Sequence, residues 1–320
     1  MSVLVTGGLG AIGSYVVRDL VERGVTVVCY DSRSDTRLIA DVLARVNLVE
    51  GDLLDFPKLI RTAKDYGAEY IIHTAALMPP PVAANPPQGT AVNVTGTLNV
   101  LETARILGLK RVVFASTKGV YAPVVGEYAH PIYRPFDEDY PKDPPNLYDA
   151  TKLFCEHLGS NYAQVHGVDF VALRFAMTYG PGKLTHGAVA IPAMIVENAM
   201  RGLPTALAQG SDQRDDLVYN RDTGRALVLA CYAQRLQHRV FHIGTGKGVT
   251  LCDLAAAVRE IFPEAQIAIG PGLDYLGIGG GLYGVFDISR ARRELGYEPR
   301  YSLQEGVRDF VETARKSGYA

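Results

Sequence analysis

Cysteine is scarce. The 320 residues hold four, Cys29, Cys155, Cys231 and Cys252, far apart and with no CxxC spacing. That excludes a disulfide framework, gives no metal-site signal and fits reduced thiols in a cytoplasmic protein. An excess of either charge is missing too: 32 Lys plus Arg stand against 34 Asp plus Glu, a formal charge of -2. Neither nucleic acid nor a membrane surface is therefore an expected partner. Long hydrophobic runs are absent. The apolar stretches, such as 3–5 and 70–72, are strand-sized and far too short to span a bilayer. The chain is expected to enter its first strand at Ser2, with no leader segment ahead of it.

What is present is an ordinary globular mixture, 48% hydrophobic and 21% charged, with 33 glycines and 18 prolines gathered in connections. Residues 2–6 read as a buried strand. A glycine-rich turn follows, then a helix over 12–23 closed by Gly24. Further strands are expected at 25–30, 46–50, 70–73, 112–115 and 170–173, alternating with helices over 56–66, 94–107 and 148–166. Such alternation predicts parallel βαβ units and an α/β, Rossmann-type doubly wound sheet. Beyond Ala176 the texture becomes mixed, with a strand at 239–243, a helix at 251–262, a glycine-rich loop at 270–284 and a last helix at 302–316. The expected organisation is a cofactor domain over 1–175 and a smaller, mainly substrate-binding lobe over 176–320, with 217–243 returning to the first domain.

The turn TGGLGAIG (6–13) places Gly7, Gly10 and Gly13 between strand and helix. Glycine there permits a tight turn, a close approach to a pyrophosphate and close helix packing, while the helix N-terminus faces the phosphates. Asp31 ends the second strand about 20 residues on, where a carboxylate accepts from adenosine ribose hydroxyls and repels a 2′-phosphate. NAD is thus favoured over NADP, although Arg33 is placed to accept a phosphate. Asp52 stands either against the adenine or as an N-cap of the next helix. In YDATK (148–152), Tyr148 and Lys152 share one helix face. An ammonium beside the phenol lowers its pKa, so Tyr148 can carry a proton while a hydride moves to nicotinamide.

These motifs, with HTAA (73–76), NVTGTLNVLE (93–102), FASTKGVYA (114–122), LRFAMTYGPG (173–182), QRDDLVYNRD (213–222), FHIGTG (241–246) and ISRARRELGYEP (288–299), resemble the extended short-chain dehydrogenases/reductases of the NAD-dependent epimerase/dehydratase family, nucleotide-sugar 4-epimerases among them. The resemblance implies Thr117, Tyr148 and Lys152 as catalytic residues. It implies a cofactor site at Gly7, Gly10, Ala11, Ile12, Gly13, Asp31, Ser32, Asp52, Leu53, Thr74, Ala75, Ala76, Asn93, Ser116, Tyr148, Lys152 and Phe175. Asn93 is expected to support the lysine or the nicotinamide side. Met78, Thr117, Met177 and Arg214 are the implied substrate contacts. A homodimer paired through the helices over 93–107 and 148–166 is also implied.

Departures from the family pattern shape the expected activity. The Asp-Glu pair that follows the catalytic Thr in dTDP-glucose 4,6-dehydratases is replaced by Lys118 and Gly119, which removes dehydratase chemistry. Met177 replaces the Asn that contacts a substrate diphosphate, and residues 270–286 hold no Arg or Lys. A buried diphosphate needs compensating charge. The implied activity is a sugar or nucleotide-sugar epimerase. An NAD-dependent dehydrogenase of a smaller polyol, sugar or sugar acid stays open, as does a non-catalytic NAD-binding regulator. Residues 123–146, with Glu127, His130, Tyr133, Arg134, Asp137, Glu138 and Asp139, form either a solvated loop, the favoured reading, or a polar lid. His73 is expected to be a packed histidine.

Overall fold

The computed structural model describes residues 1–277, 281 and 283–319. Among them, β1 (Ser2–Thr6), β2 (Thr26–Asp31), β3 (Val46–Glu50), β4 (Tyr70–His73), β5 (Arg111–Thr117), β6 (Phe170–Phe175) and, further along, Val240–Ile243 form one sheet of seven parallel strands. The order is Val240–Ile243, β6, β5, β4, β1, β2, β3. The chain thus starts in the middle and winds outwards in both directions, so connections part between β1 and β4. Both are buried along the register Val3↔Tyr70 to Thr6↔His73. In such a sheet the crevice beyond the strand C-termini at that point is open to a ligand.

Helices α1 (Gly13–Glu22), α2 (Phe56–Asp65), α3 (Pro79–Ala84), α4 (Pro86–Thr90), α5 (Gly96–Leu107) and α6 (Leu147–His166) belong to the first half of the chain. Helix α1 buries Val16, Val17, Leu20 and Val21 on the sheet, and Gly24 ends it with φ +71°. The Asp55 carboxylate accepts from the Lys58 amide and caps α2, so Asp52 is not the N-cap. Asp52 instead accepts from the Leu54 amide. Residues 91–95 form a π-helical turn ahead of α5, so the regular helix expected from 94 starts at Gly96. Asn146 caps α6 through the Asp149 amide, which fixes where Tyr148 and Lys152 stand.

The second half adds β7 (Met177–Tyr179), a 3-10 stretch over 184–190, α7 (Ile191–Met200), β8 (Thr205–Leu207), β9 (Arg214–Asp215), β10 (Leu217–Tyr219), α8 (Asn220–Tyr232), β11 (Val240–Ile243, the outer strand of the main sheet), β12 (Val249–Thr250), α9 (Leu251–Arg259), β13 (Ile267–Ile269), α10 (Ser289–Leu295) and α11 (Leu303–Lys316). The short strands pair two by two: β10 with β7, β12 with β9, β13 with β8. Capping boxes at Thr250/Asp253 and Ser302/Glu305 start α9 and α11. Apolar side chains cover both faces of the main sheet, Val16, Leu20 and Leu227 on one and Leu59, Leu101 and Phe170 on the other. A third core, with Ile195, Leu254, Val307 and Phe310, holds α7, α9 and α11 together.

Most of residues 123–146 are exposed, as expected of a solvated loop, but Val124, Tyr133, Phe136 and Glu138 are buried. Phe136 is 4% exposed and its ring packs on Tyr121, Tyr140, His242 and Phe286. Glu138 is buried and accepts from the His242 amide, with Arg290 3.3 Å away. Each large aromatic buried in this way contributes about 1.5–3 kcal/mol, enough to outweigh the polar composition of the segment. Of the glycine-rich stretch 270–284, residues 278–280 and 282 lie outside the described residues.

Candidate active site

A cavity of about 610 Å³ opens over the C-terminal ends of β1, β2, β4, β5 and β6. At one end lies the glycine turn. Gly7 has φ +72°, and a Cβ there would stand 2.6 Å from the Ala75 nitrogen. A Cβ on Gly13 would stand 2.1 Å from the Gly7 oxygen. Both positions exclude any other residue, one by conformation and the other by contact. No side chain caps α1 at Ile12, so the positive end of the helix is turned to the cavity that Ala11, Ile12 and Gly13 line. Asp31, 5% exposed, fastens the turn: its Oδ2 accepts from the Leu9 amide and its Oδ1 from the Arg33 amide. Arg33 pairs with Asp31 at 3.5 Å, and its guanidinium reaches over Gly10.

Ser32, Asp52, Leu53, Thr74, Ala75, Ala76 and Met78 continue the wall, followed by three prolines, 79–81, in the first turn of α3. Ser116, Thr117, Tyr148, Lys152, Phe175 and Met177 line the other end. Thr117 ends β5 beside Phe175, and its hydroxyl accepts from the Gly119 amide while keeping its proton to donate. Ser116 is committed elsewhere: its hydroxyl donates to Glu156 at 2.5 Å, and Glu156 pairs with buried Arg174.

The Tyr148–Lys152 pair differs electrically from the expectation. Lys152 is 4% exposed, donates to the Ala115 carbonyl at 2.8 Å, and lies 5.8 Å from the Tyr148 ring centre. Burial pushes its pKa down to about 8. The Tyr148 phenol is pushed above its ordinary value, first by burial and then by the Asp149 carboxylate. Asp149 accepts from the Asn146 side chain, but burial prevails and pushes its own pKa up to about 6.

Two implied contacts do not line the cavity. The Asn93 side chain accepts from the Leu77 amide and donates to the Leu77 carbonyl, so it anchors the 76–78 wall instead of touching the lysine. The π-helical turn turns that amide towards the wall. Arg214 sits exposed on β9. Its neighbour Asp215 takes part instead: Lys118, which does line the cavity, stands 2.7 Å from both Asp215 oxygens, and the Tyr275 hydroxyl donates to Asp215 at 3.0 Å. Lys183 and His186 also face the cavity. His73 is buried between the Thr6 and Thr97 hydroxyls, with its pKa pushed down to about 3 by burial. Among the described residues no cluster of three or more His, Cys, Asp or Glu could hold a metal ion, and no helix is long and apolar enough to cross a membrane.

The profile of the NAD dependent epimerase/dehydratase family matches residues 3–244. The UDP-glucose 4-epimerase of Mycolicibacterium smegmatis is 30% identical over 325 residues, covering 98% of this chain and 99% of that one. The structure of Thermotoga maritima UDP-glucose 4-epimerase with UDP-glucose superposes with a TM-score of 0.85 at 29% identity, covering 99% of both chains. That of the Thermus thermophilus UDP-glucose 4-epimerase with NAD gives 0.81 at 31% identity, over 98% of this chain and 99% of the other. A glycine cradle closed by Ala75, an acid at the end of β2 and a Tyr-Lys pair beside the end of β5 thus occur on a chain that belongs to the NAD-dependent epimerase/dehydratase family.

Proposed function

We propose that the protein is a nucleotide-sugar 4-epimerase that uses NAD. The observation that carries the reading is a cavity with Thr117, Tyr148 and Lys152 at one end and the glycine cradle at the other. The cradle fits a dinucleotide: Gly7, Gly10 and Gly13 leave the backbone bare, and Asp31 keeps a lone pair on each oxygen for ribose hydroxyls beyond the amides it already accepts. Bound there, the nicotinamide supplies reversible hydride acceptance. Thr117 donates to the substrate oxygen, and Tyr148 takes its proton as the C–H bond is broken. Lys152, set to hold the nicotinamide ribose, favours the ionised phenol once its ammonium leaves Ala115. Return of the proton from Tyr148 after the sugar turns over completes the inversion. Lys118, not an acid, follows Thr117, so no carboxylic acid in that position can expel water.

The reading further takes residues 1–175 and 217–243 as the cofactor domain and most of 176–320 as the substrate lobe. It takes the protein as cytoplasmic and as a homodimer that covers Ile106, Phe154 and Val165, which α5 and α6 leave 49%, 54% and 64% exposed. The test is conversion of UDP-glucose to UDP-galactose by the purified protein without net NADH. Net NADH from a small polyol or sugar acid, with no interconversion of the nucleotide sugars, would overturn it in favour of the dehydrogenase that Met177 suggests. Binding of NAD without turnover of either class would leave a regulator.

A further inference from the structure

Lys183 is 4% exposed, yet among the described residues no carboxylate lies within ion-pair distance of it. Its ammonium donates to the Thr178 carbonyl at 2.8 Å and to the Thr178 hydroxyl, which leaves one proton without a partner among the described residues of the cavity wall. A buried, uncompensated ammonium is costly to a fold, and a shorter apolar side chain would fill the same place. Burial pushes its pKa down to about 7, with Lys118 adding in the same direction. Its remaining proton, unpartnered among the described residues, is available to an anion entering the cavity.

The surroundings say where such an anion would lie. Gly182, next in the chain, abuts the glycine turn: a Cβ on it would stand 3.6 Å from the Ala11 Cβ. Three residues on, His186 faces the same cavity, and its Nδ1 is buried without a hydrogen-bond partner. Arg33, Lys183 and His186 line the same cavity, and burial, then Lys183 and Arg33, together push the pKa of His186 down to about 3. Arg33 reaches over Gly10 and so stands over the turn. The segment that carries Lys183 and His186 is held down at Gly187, where a Cβ would meet the Pro80 ring at 2.7 Å. Two cations and a neutral imidazole thus line the cavity into which the positive end of α1 opens.

We propose that Lys183, assisted by His186 and Arg33, is a diphosphate-binding cation of this chain, set on the segment after β7. The nearness of Gly182 to Ala11 and of Arg33 to Gly10 favours the diphosphate of the dinucleotide; that of a nucleotide sugar has the same chemistry. The inference rests on the reading that the cavity takes these nucleotides, but its test is binding, not turnover.

Calorimetry on the purified protein, freed of bound nucleotide, would compare ADP-ribose, UDP and adenosine on wild type and Lys183→Met. Loss of a charged hydrogen bond should weaken ADP-ribose about ten- to a hundredfold and leave adenosine unchanged. The nucleotide-free variant should melt no lower than wild type, because a buried charge has been removed. Lys183→Arg should restore most of the affinity, and Lys183→Gln replaces the Met variant if that does not fold. Weakening of UDP in place of ADP-ribose would keep the diphosphate role and move its source to the substrate. Equal ADP-ribose and UDP affinities in wild type and variant, or an equal loss for adenosine, would overturn the proposal. Wild type that binds ADP-ribose but neither UDP nor UDP-glucose would count against the nucleotide-sugar reading and leave the role of Lys183 to be judged on ADP-ribose.

Discussion

At the cofactor end of the cavity the wall comes from short segments at strand ends: Gly7 and 10–13 after β1, 31–33 after β2, 74–78 after β4. At the substrate end it comes from side chains brought together from far apart in the chain, Lys118, Asp149, Met177 and Leu276, with Asp215 and Tyr275 behind them. The first kind of wall works through backbone, so its glycines are fixed by geometry. The second works through side-chain charge, so its residues are free to vary with the substrate. The contrast also separates two buried lysines. Lys152 has a phenol to act on, whereas Lys183 has only Thr178 among the described residues.

The largest effect should come where the two ends meet. Tyr148→Phe keeps the ring and removes the proton carrier, so turnover should fall about a hundred- to ten-thousandfold with NAD affinity within a factor of about two. Steady-state rates and calorimetry check this. A fall in affinity as large as the fall in rate would erase the division between cofactor and reaction roles.

At the substrate end, Asp215→Asn leaves the Lys118 ammonium facing a neutral partner in a nearly dry place. Breaking a buried pair costs about 3 kcal/mol, to be read in urea unfolding, and adding Lys118→Met should recover much of it. Asp216 lies next to this pair and holds the Thr245 and Gly246 amides, so it should not be altered in the same experiment.

His73, behind the cofactor end, gives a pH prediction. An unfolded histidine takes its proton near pH 6.5, the folded one only near pH 3. Between those values only the unfolded chain binds the proton. The contribution of His73 is therefore complete above pH 6.5 and is lost as pH falls, by about 1.4 kcal/mol per unit. Wild type and His73→Gln should show this as a difference in the pH dependence of urea midpoints, steeper for wild type.

Gly7→Ala tests the backbone wall. A positive φ with a side chain costs about 1–2 kcal/mol, and the Ala75 nitrogen has to give way as well. NAD affinity should fall, with the melting temperature a few degrees lower. The smallest effect on activity should be that of Phe154→Glu on the outer face of α6. Light scattering should show a dimer become a monomer while the rate per chain changes less than about twofold.

The inner strands β1, β2, β4, β5 and β6 were legible in the sequence because each is a short, mostly apolar run bounded by turn residues, as a strand buried on both faces requires. The glycine turn was legible because its geometry admits only glycine. The aromatic packing of 123–146 was not: its prolines and charges read as solvated, and the partners that bury Phe136 and Glu138, namely His242, Phe286 and Arg290, come from far along the chain. Arg214 and Asn93, implied as ligand contacts, do not line the cavity, for a related reason. A motif gives a residue's position along the chain, but the direction of its side chain depends on what packs beside it.

By itself, then, the chain determined the sheet, the dinucleotide turn, the acid at the end of β2 and the Tyr-Lys spacing on α6, because each rests on neighbours a few residues apart. Tertiary structure alone decided that Lys118 would be tied to Asp215, that Asn93 would hold Leu77, that the Lys152 proton would point at Ala115, and that Lys183 would be buried with no counter-charge among the described residues. Burial and charge pairing are properties of surroundings assembled from distant segments, and no local pattern of residues carries them.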